Sequence, residues 1–513
     1  MSDPQQTKKT KLIIVGAGPT GLSMAVQLLR YNIEFIIIER NERTTYLSKA
    51  LVVQARTLEI FEEAGLADKA IKEGQVTNAL NLFFKGRKRA LVDITNLGEG
   101  LSPYPFALSL EQSKTEKLLV DHLVEKGVII RWSSGFTHLT QNEKGVKVYY
   151  KDSTGQEQEI EGDYLIGCDG AASPVRHQLG LSFAGDTIPR LFYVADVTIN
   201  SGVINKNELF MFMIKKGFIL FFPMEGNGHY RIVGILPDAK EDKEIRFEDI
   251  EDYIKQEVEV PLEFKEIRWF SSYKVHSRKA IAFSKGRSFI AGDAAHIHTP
   301  AGGQGMNTGI QDAYNLAWKL AMVIRGEING NVLETYNSER VENATHLLKT
   351  TDRMFDMMTG NNKIFHFIRL HVFPLIAGIL TKNPFLKKRI FPLLSQTGIS
   401  YPDSALTNKS SVGKTHAGIR MPYFILKDGK HVFEYIASPT FKLLFFGNNG
   451  NDVFKLINEY RIPITTHSFD EIPQHLFGNE KNFYILLRPD NHISYIGKDL
   501  DKCRELLDKV SPK

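Results

Sequence analysis

The stretch that leaves this chain least freedom is Lys11 to Arg40, KLIIVGAGPTGLSMAVQLLRYNIEFIIIER. Lys11 to Val15, apolar from Leu12 onward, reads as a buried strand. Gly16-Ala17-Gly18-Pro19-Thr20-Gly21 then opens a helix running to about Tyr31, and Glu34 to Ile38 reads as a second strand ending in Glu39-Arg40. Each glycine has its own place in such a unit: Gly16 for the tight turn, Gly18 for close approach of the backbone to a pyrophosphate, Gly21 for packing of helix on strand. An acid about twenty residues on, here Glu39, is where a ribose 2′-hydroxyl is held. The glycines alone would be weak evidence. Flanked by two strands and followed by that acid, they describe a βαβ unit that binds a dinucleotide. An acid rather than a basic residue at position 39 argues against a 2′-phosphate in this pocket.

A second cradle lies at Arg287 to Asn307, RSFIAGDAAHIHTPAGGQGMN. Ser288 to Ala291 reads as a buried strand, and Gly292-Asp293 puts a carboxylate at its C-terminal end, where open α/β sheets bind ligands. Asp293 can accept hydrogen bonds from a polyol there. Gly302, Gly303 and Gly305 leave no Cβ in the way, and a helix beginning near Asn307 aims its first N–H groups at whatever docks, a setting suited to a ring that becomes anionic. A third element, Asp163 to Arg176 (DYLIGCDGAASPVR), repeats the pattern of strand, Asp-Gly turn and polar exit, with Asp169 at the turn. One dinucleotide does not need three such turns.

Together the fingerprint, the Cys-Asp-Gly turn and the Gly-Asp-Ala-Ala-His segment resemble the single-component (group A) FAD-dependent aromatic monooxygenases with the para-hydroxybenzoate hydroxylase-like fold. SKALVVQARTLEIFEEAGL (Ser48 to Leu66), LSLEQSKTEKLL (Leu108 to Leu119) and PAGGQGMNTGIQDAYNLAWKLA (Pro300 to Ala321) are similar to the phenol hydroxylase and polyketide hydroxylase branch. The resemblance runs from Lys11 to Ser404. It implies an α/β fold with a discontinuous Rossmann-like FAD-binding domain at 10–79, 107–187 and 280–395. It also implies a substrate domain, an antiparallel sheet over the flavin, at 80–106 and 188–279, and a thioredoxin-like C-terminal domain at 396–513. That last domain has no Cys-x-x-Cys, which removes thiol redox chemistry and leaves a structural or oligomerising role.

Composition agrees with a soluble globular profile: 513 residues, 42% hydrophobic and 24% charged. A net charge of +5 spread over this length forms no basic stripe, so nucleic acid is not an expected partner. The opening MSDPQQTKKTK has no apolar signal core, so a cytoplasmic location is expected. Cys168 and Cys503 are the only cysteines, too few for a Cys-based metal site, and no metal is expected. Between Asn361 and Leu394 the chain is apolar and basic at once. Its longest uncharged stretch, Leu370 to Thr381, is far shorter than the roughly twenty residues that span a bilayer, so stable membrane insertion is not expected. The segment reads as helices packed on the FAD domain or at a subunit interface, which leaves a homodimer open, with peripheral membrane contact as the other reading.

The activity implied by the resemblance is NAD(P)H- and O2-dependent hydroxylation of a phenolic or polycyclic aromatic small molecule through a C4a-hydroperoxyflavin. FAD is bound non-covalently and NAD(P)H is a co-substrate. By the same resemblance Gly305, Met306 and Asn307 hold the flavin ring, Asp293 its ribityl chain and Gln112 the pyrophosphate region, Pro300 lines the catalytic wall, and Gly303 is a further cofactor contact. Arg40 and Asp169 join Gly16, Gly18, Gly21 and Glu39 as expected cofactor contacts. The family commonly has Ser-Arg-Ala where this chain has Ser48-Lys49-Ala50, so a bidentate guanidinium contact becomes a single ammonium at Lys49, with Arg56 as the residue that could compensate. His296 and His298 are expected to make loop-stabilising hydrogen bonds. Within the expected substrate domain, Glu208 to Ile214, Gly217 to Met224 and His229 to Leu236 read as strands. Phe212, Phe222 and Tyr230 are the candidate substrate contacts, and Tyr230 is a candidate base beside Tyr273 and His276. Period-two alternation leaves two registers, so core packing stands as an equal alternative for each. Arg176 is a candidate for contacting the nicotinamide. A Baeyer–Villiger or antibiotic-modifying oxygenase on the same fold is the alternative function. A flavin halogenase is disfavoured because the chain lacks Trp-x-Trp-x-Ile-Pro, its tryptophans being Trp132, Trp269 and Trp318.

Overall fold

The computed structural model describes residues 8–45, 50–204, 208–214, 217–236, 245–360, 365, 367–380, 383–447 and 451–512. In the first strand, Lys8–Val15, the run Leu12 to Val15 is buried on both faces, as the interior of a parallel sheet requires. It pairs in parallel with Phe35–Ile38 on one side and with Glu157–Gly167 on the other, and the latter pairs in parallel with Ser288–Ile290. Ser284–Lys285 and Ile130–Arg131 close the two edges. The register sets Val15 beside Gly167 and Gly167 beside Ile290. Three strands from distant parts of the chain therefore end level, and the three Gly-containing turns that follow them emerge at one edge of the sheet. Two helices pack over this edge: Pro19–Arg30, and Gly305–Ile324, which is buried on almost every face.

A second sheet of eight strands runs His296–Ile297, Glu263–Ala280, Phe183–Asn200, His229–Leu236, Gly217–Pro223, Leu209–Ile214, Ala79–Phe84, Arg87–Asp93. Pairing is antiparallel except between Leu209–Ile214 and Ala79–Phe84, which run parallel. Phe183–Asn200 and Glu263–Ala280 are long strands that pass without a break from one sheet region toward the other, so the connection between the halves is itself β-structure.

The C-terminal part builds a four-stranded sheet in the order Ile464–Phe469, Phe441–Phe446, Phe483–Leu487, Ile493–Gly497. The first pair is parallel and the other two antiparallel, with helices after the first and last strands in chain order; this is the thioredoxin-like arrangement. Cys503 sits buried on the terminal helix Leu500–Val510. Among the described residues no helix is long and apolar enough to cross a membrane.

Candidate active site

The three fingerprint glycines differ in what a Cβ would meet. At Gly16, with φ at +105°, it would lie 2.4 Å from the carbonyl oxygen of Cys168, and at Gly21 it would lie 2.0 Å from that of Gly16. These two positions fix turn and packing. At Gly18 no atom of the described residues lies within 4 Å of an added Cβ, so the backbone there borders open space. No side chain caps the helix that starts after Gly18, and Pro19 in the first turn lacks an N–H to leave unsatisfied. Glu39 is buried; its carboxylate accepts from the Ala17 N–H at 2.7 Å and from the Asn41 backbone and side-chain N–H groups at 2.9 and 2.7 Å. The acid thus braces the fingerprint turn.

The second cradle adjoins the first. Thr20 of the fingerprint helix lies against both Gly292 and Gly309, where an added Cβ would come 2.4 and 2.3 Å from its Oγ1. Asp293 is exposed at the end of Ser288–Ile290. Behind it, Asp312 accepts from the Gly292 N–H at 2.9 Å and lies 2.8 Å from Nε2 of His296, while Nε of Arg340 donates to its other oxygen at 2.6 Å. Burial alone would raise the Asp312 carboxyl, but Arg340 and His296 outweigh it and hold it at about 2. Gly302 and Gly303 take φ of +79° and +62°, and the Gly305–Ile324 helix begins without a side-chain cap, its first N–H groups and positive dipole end left toward the loop. His298, beside Gly305, donates from Nδ1 to the Thr299 carbonyl at 2.7 Å, and its buried Nε2 has no hydrogen-bond partner among the described residues.

The eight-stranded sheet has two unlike faces, and the register assigns each residue to one. Phe83, Phe212, Phe221 and Tyr230 share a face that Phe247, Ile250, Ile254 and Val258 cover, from the helix Glu248–Val258 and its start. Phe212 and Tyr230 are almost wholly buried there, their rings packed 5.5 and 6.3 Å from Phe221. The expectation that these two contact substrate, and that Tyr230 acts in catalysis, is therefore corrected: the pleat turns both into a core. Phe222, one residue on from Phe221, points the other way. Its face carries Met211, Leu220 and Val233, all half-buried, and the Arg231–Asp196 pair, joined by two hydrogen bonds of 2.6 Å beside Trp269. Tyr273 shares that face, with its ring 5.9 Å from Phe192. Although 36% exposed, its phenol is pushed up to about 12 by desolvation, with Arg231 pulling weakly the other way, as befits a group in a recess. Beside Phe222, the Pro223 carbonyl accepts from Ser109 Oγ at 3.5 Å; Ser109 pairs with Val52, and Val52 abuts Gly303. The end of the Gly217–Pro223 strand thus reaches the glycine loop. His276 is taken up by Thr187, 2.8 Å from its Nδ1.

Two cradles at one sheet edge, bordered by a half-apolar sheet face, match what comparison with known proteins finds. The FAD binding domain family matches residues 9–351. The chain belongs to the FAD-dependent aromatic monooxygenases. It is 30% identical to 6-methylpretetramide 4-monooxygenase of Streptomyces rimosus, over 87% of this chain and 81% of that protein. It is 33% identical to pentachlorophenol 4-monooxygenase of Sphingobium chlorophenolicum, over 70% and 67% respectively. Among solved structures, the anhydrotetracycline hydroxylase OxyS from Streptomyces rimosus superposes with a TM-score of 0.79 at 27% identity, covering 98% of this chain and 99% of that one.

FAD fits the residues of this monooxygenase: open space at Gly18, two uncapped helix starts, and an exposed carboxylate at Asp293. Other expected contacts prove to be braces of the cradle. Asn307 is fully buried, its Oδ1 accepting from the Gln54 N–H and Thr57 hydroxyl at 2.9 and 2.8 Å and its Nδ2 donating to Val52 and Gly303 carbonyls, so only its backbone is left for a ligand. Gln112 bridges the Ala50 N–H and Glu116, and Asp169 accepts from Ser173 and the Val175 N–H at its own turn. Arg40 and Pro300 are exposed and Met306 is buried; Lys49 lies outside the described residues. Arg56 does not compensate for it. Its buried guanidinium donates to Glu59 and to the Asp490 carbonyl of the C-terminal domain, drawn away from the cradle. Arg176 likewise turns inward, to the carbonyls of Ala294 and Ala171 and the face of Phe183, rather than outward to a nicotinamide.

Sequence reasoning passed over the buried ion network behind the loop. Arg340 joins Asp312 to the Tyr401 hydroxyl, and Arg488 pairs with Glu339 at 2.6 and 3.0 Å, with Lys319 on the same carboxylate at 2.8 Å. The signal was available: Asp312 and Lys319 are the charged residues of a long helix that is buried on almost every face, and buried charges demand partners.

Proposed function

We propose that the monooxygenase uses NAD(P)H and O2 to hydroxylate a phenolic or polycyclic aromatic small molecule held between the FAD site and the open face of the eight-stranded sheet. The observation that carries this reading is the contrast of the two sheet faces, one sealed by a helix, the other half-buried, apolar and continuous with the glycine loop. Bound FAD would supply the activation of oxygen, which no side chain here can perform. Asp293 would hold its polyol chain, and the first N–H groups of the Gly305–Ile324 helix would offset negative charge on its ring. Met211, Leu220, Phe222 and Val233 exclude water from the reacting atoms. Tyr273 stays protonated at neutral pH, so it serves as a hydrogen-bond donor to a substrate oxygen rather than as a base. The relatives named for pentachlorophenol and for 6-methylpretetramide support an aromatic substrate. The test is NAD(P)H oxidation by the FAD-loaded protein across phenols, naphthoquinones and polyketides with 18O2. A product gaining one labelled hydroxyl is expected. Complete conversion of reducing equivalents to hydrogen peroxide with every compound would overturn the reading.

A further inference from the structure

We infer that the helices within 367–380 and 383–394 form a docking face for an anionic lipid bilayer, an inference independent of the substrate proposed above. From Asn361 to Leu394 the sequence has six Lys and Arg and no Asp or Glu. The segment forms Ile368–Val372, Phe373–Leu380 and Pro384–Leu394. One side of it is used: Leu370, Phe373 and Ala377 pack on Leu82, Met213, Ala90 and Val92 of the eight-stranded sheet. The other is not. Phe367, Leu375, Ile376, Phe385 and Leu393 are 47% to 70% exposed. Single exposed apolar side chains are ordinary, but five from one short acid-free segment expose an amount of apolar surface that water does not favour. Basic groups frame it. Lys388 and Arg389 are exposed, with the Arg389 guanidinium 4.7 Å from the Phe385 ring, and the strand under the Phe373–Leu380 helix exposes Arg87, Lys88 and Arg89 at its start. Asp93 at the end of that strand is engaged by the Thr95 N–H.

Apolar side chains flanked by Lys and Arg suit the boundary between headgroups and acyl chains, where each basic residue near the surface strengthens attraction to anionic lipid by about fivefold. A second copy of the chain is a poorer occupant, because a two-fold interface would set this positive face against itself. Docking here would bring the sheet edge at Met211 and Met213, which the segment covers, close to the phase in which apolar aromatics concentrate.

The experiment is co-sedimentation of the full-length, FAD-loaded protein with vesicles of phosphatidylcholine alone or with about one-third phosphatidylglycerol. Binding to the anionic vesicles at low salt, weak binding to the neutral ones, and release by salt are expected. The triple variant Lys387→Glu/Lys388→Glu/Arg389→Glu should lower partitioning by about a hundredfold or more, with FAD content unchanged. Leu375→Ser/Ile376→Ser should also weaken it, and because both side chains are exposed the fold should survive. Absence of binding to either vesicle, or equal binding to both, would overturn the inference. So would a dimer in sedimentation velocity that Leu375→Ser/Ile376→Ser dissolves, which would assign the face to a second copy.

Discussion

At Gly16 and Gly21 one added carbon would meet backbone at 2.4 and 2.0 Å, whereas on the other sheet face Met211, Leu220, Phe222 and Val233 stand half-buried, with Met211 and Leu220 packed against a small core that holds Phe355 and Met358. The cofactor cradle is made by backbone, and its shape follows from residues that have no side chain to vary. The substrate face is made by side chains on a regular pleat, which can be exchanged without moving the chain. Such a division lets one scaffold keep its flavin geometry while its substrate changes.

The comparison is tested hardest inside the cradle. Gly21→Ala forces the helix Pro19–Arg30 away from Gly16, and a cost above about 4 kcal/mol is expected, with little folded, yellow protein recovered. Gly18→Ala meets nothing within 4 Å, so the protein should fold with an ordinary melting temperature and lose FAD affinity alone. Equal thermal melts for the two variants would break the distinction. Next in size is the contrast between sheet faces. Phe212→Ala should cost about 3 to 5 kcal/mol of stability, measured by denaturant unfolding, because it empties a site in a sealed core. Phe222→Ala should cost much less than Phe212→Ala and instead raise the fraction of NAD(P)H converted to peroxide. A reversed pattern would mean that the catalytic face has been assigned the wrong way round.

These contrasts also explain what could be read from the sequence. The fingerprint, the Asp293 loop and the three strand-and-turn units were legible because glycine spacing and β-branched runs act locally, and the strands at Leu209–Ile214, Gly217–Pro223 and His229–Leu236 appeared within a residue or so of expectation. The facing of Phe212, Phe222 and Tyr230 was not legible. Phe221 and Phe222 are adjacent and equally apolar, so only the position of the helix Glu248–Val258 decides which of them is core. Arg56 and Arg176 were misplaced for a related reason: a buried arginine and a ligand-binding one look alike until the distant carbonyls of Asp490 and Ala294 are in place. Asn307 lies at the start of the loop's helix, and its side chain is a brace within the protein.

A sharper measure of the cradle is Asp293→Ala. The carboxylate is exposed, so stability of the apoprotein should change by less than about 0.5 kcal/mol. FAD affinity, titrated by flavin fluorescence, should fall by about 1.5 to 3 kcal/mol, the size of a hydrogen bond to a charged group. Unchanged affinity would remove Asp293 from the cofactor site while leaving the rest of the cradle standing.

The smallest effect concerns pH and falls on the seam between cradle and loop. Burial first, and neighbouring His296 second, push His298 down from its ordinary 6.5 to about 4. A depressed pKa in the folded state means that the unfolded chain takes up its proton first as pH falls. His298 therefore contributes stability that is intact above about 6.5 and is lost progressively toward 4. Asp312, held at about 2 by Arg340 and His296 against its burial, is lost only at lower pH and does not confuse this window. His492, also lowered chiefly by burial, slopes in the same direction, whereas His431, raised by Glu62, slopes the opposite way. His298→Asn keeps a donor for the Thr299 carbonyl and removes the titration, so its melting temperature should fall less between pH 6.5 and 4 than that of the parent protein. Parallel curves for the two proteins would show that His298 is not buried beside the glycine loop, and with it would go the uncapped helix start as the enclosed end of the cradle.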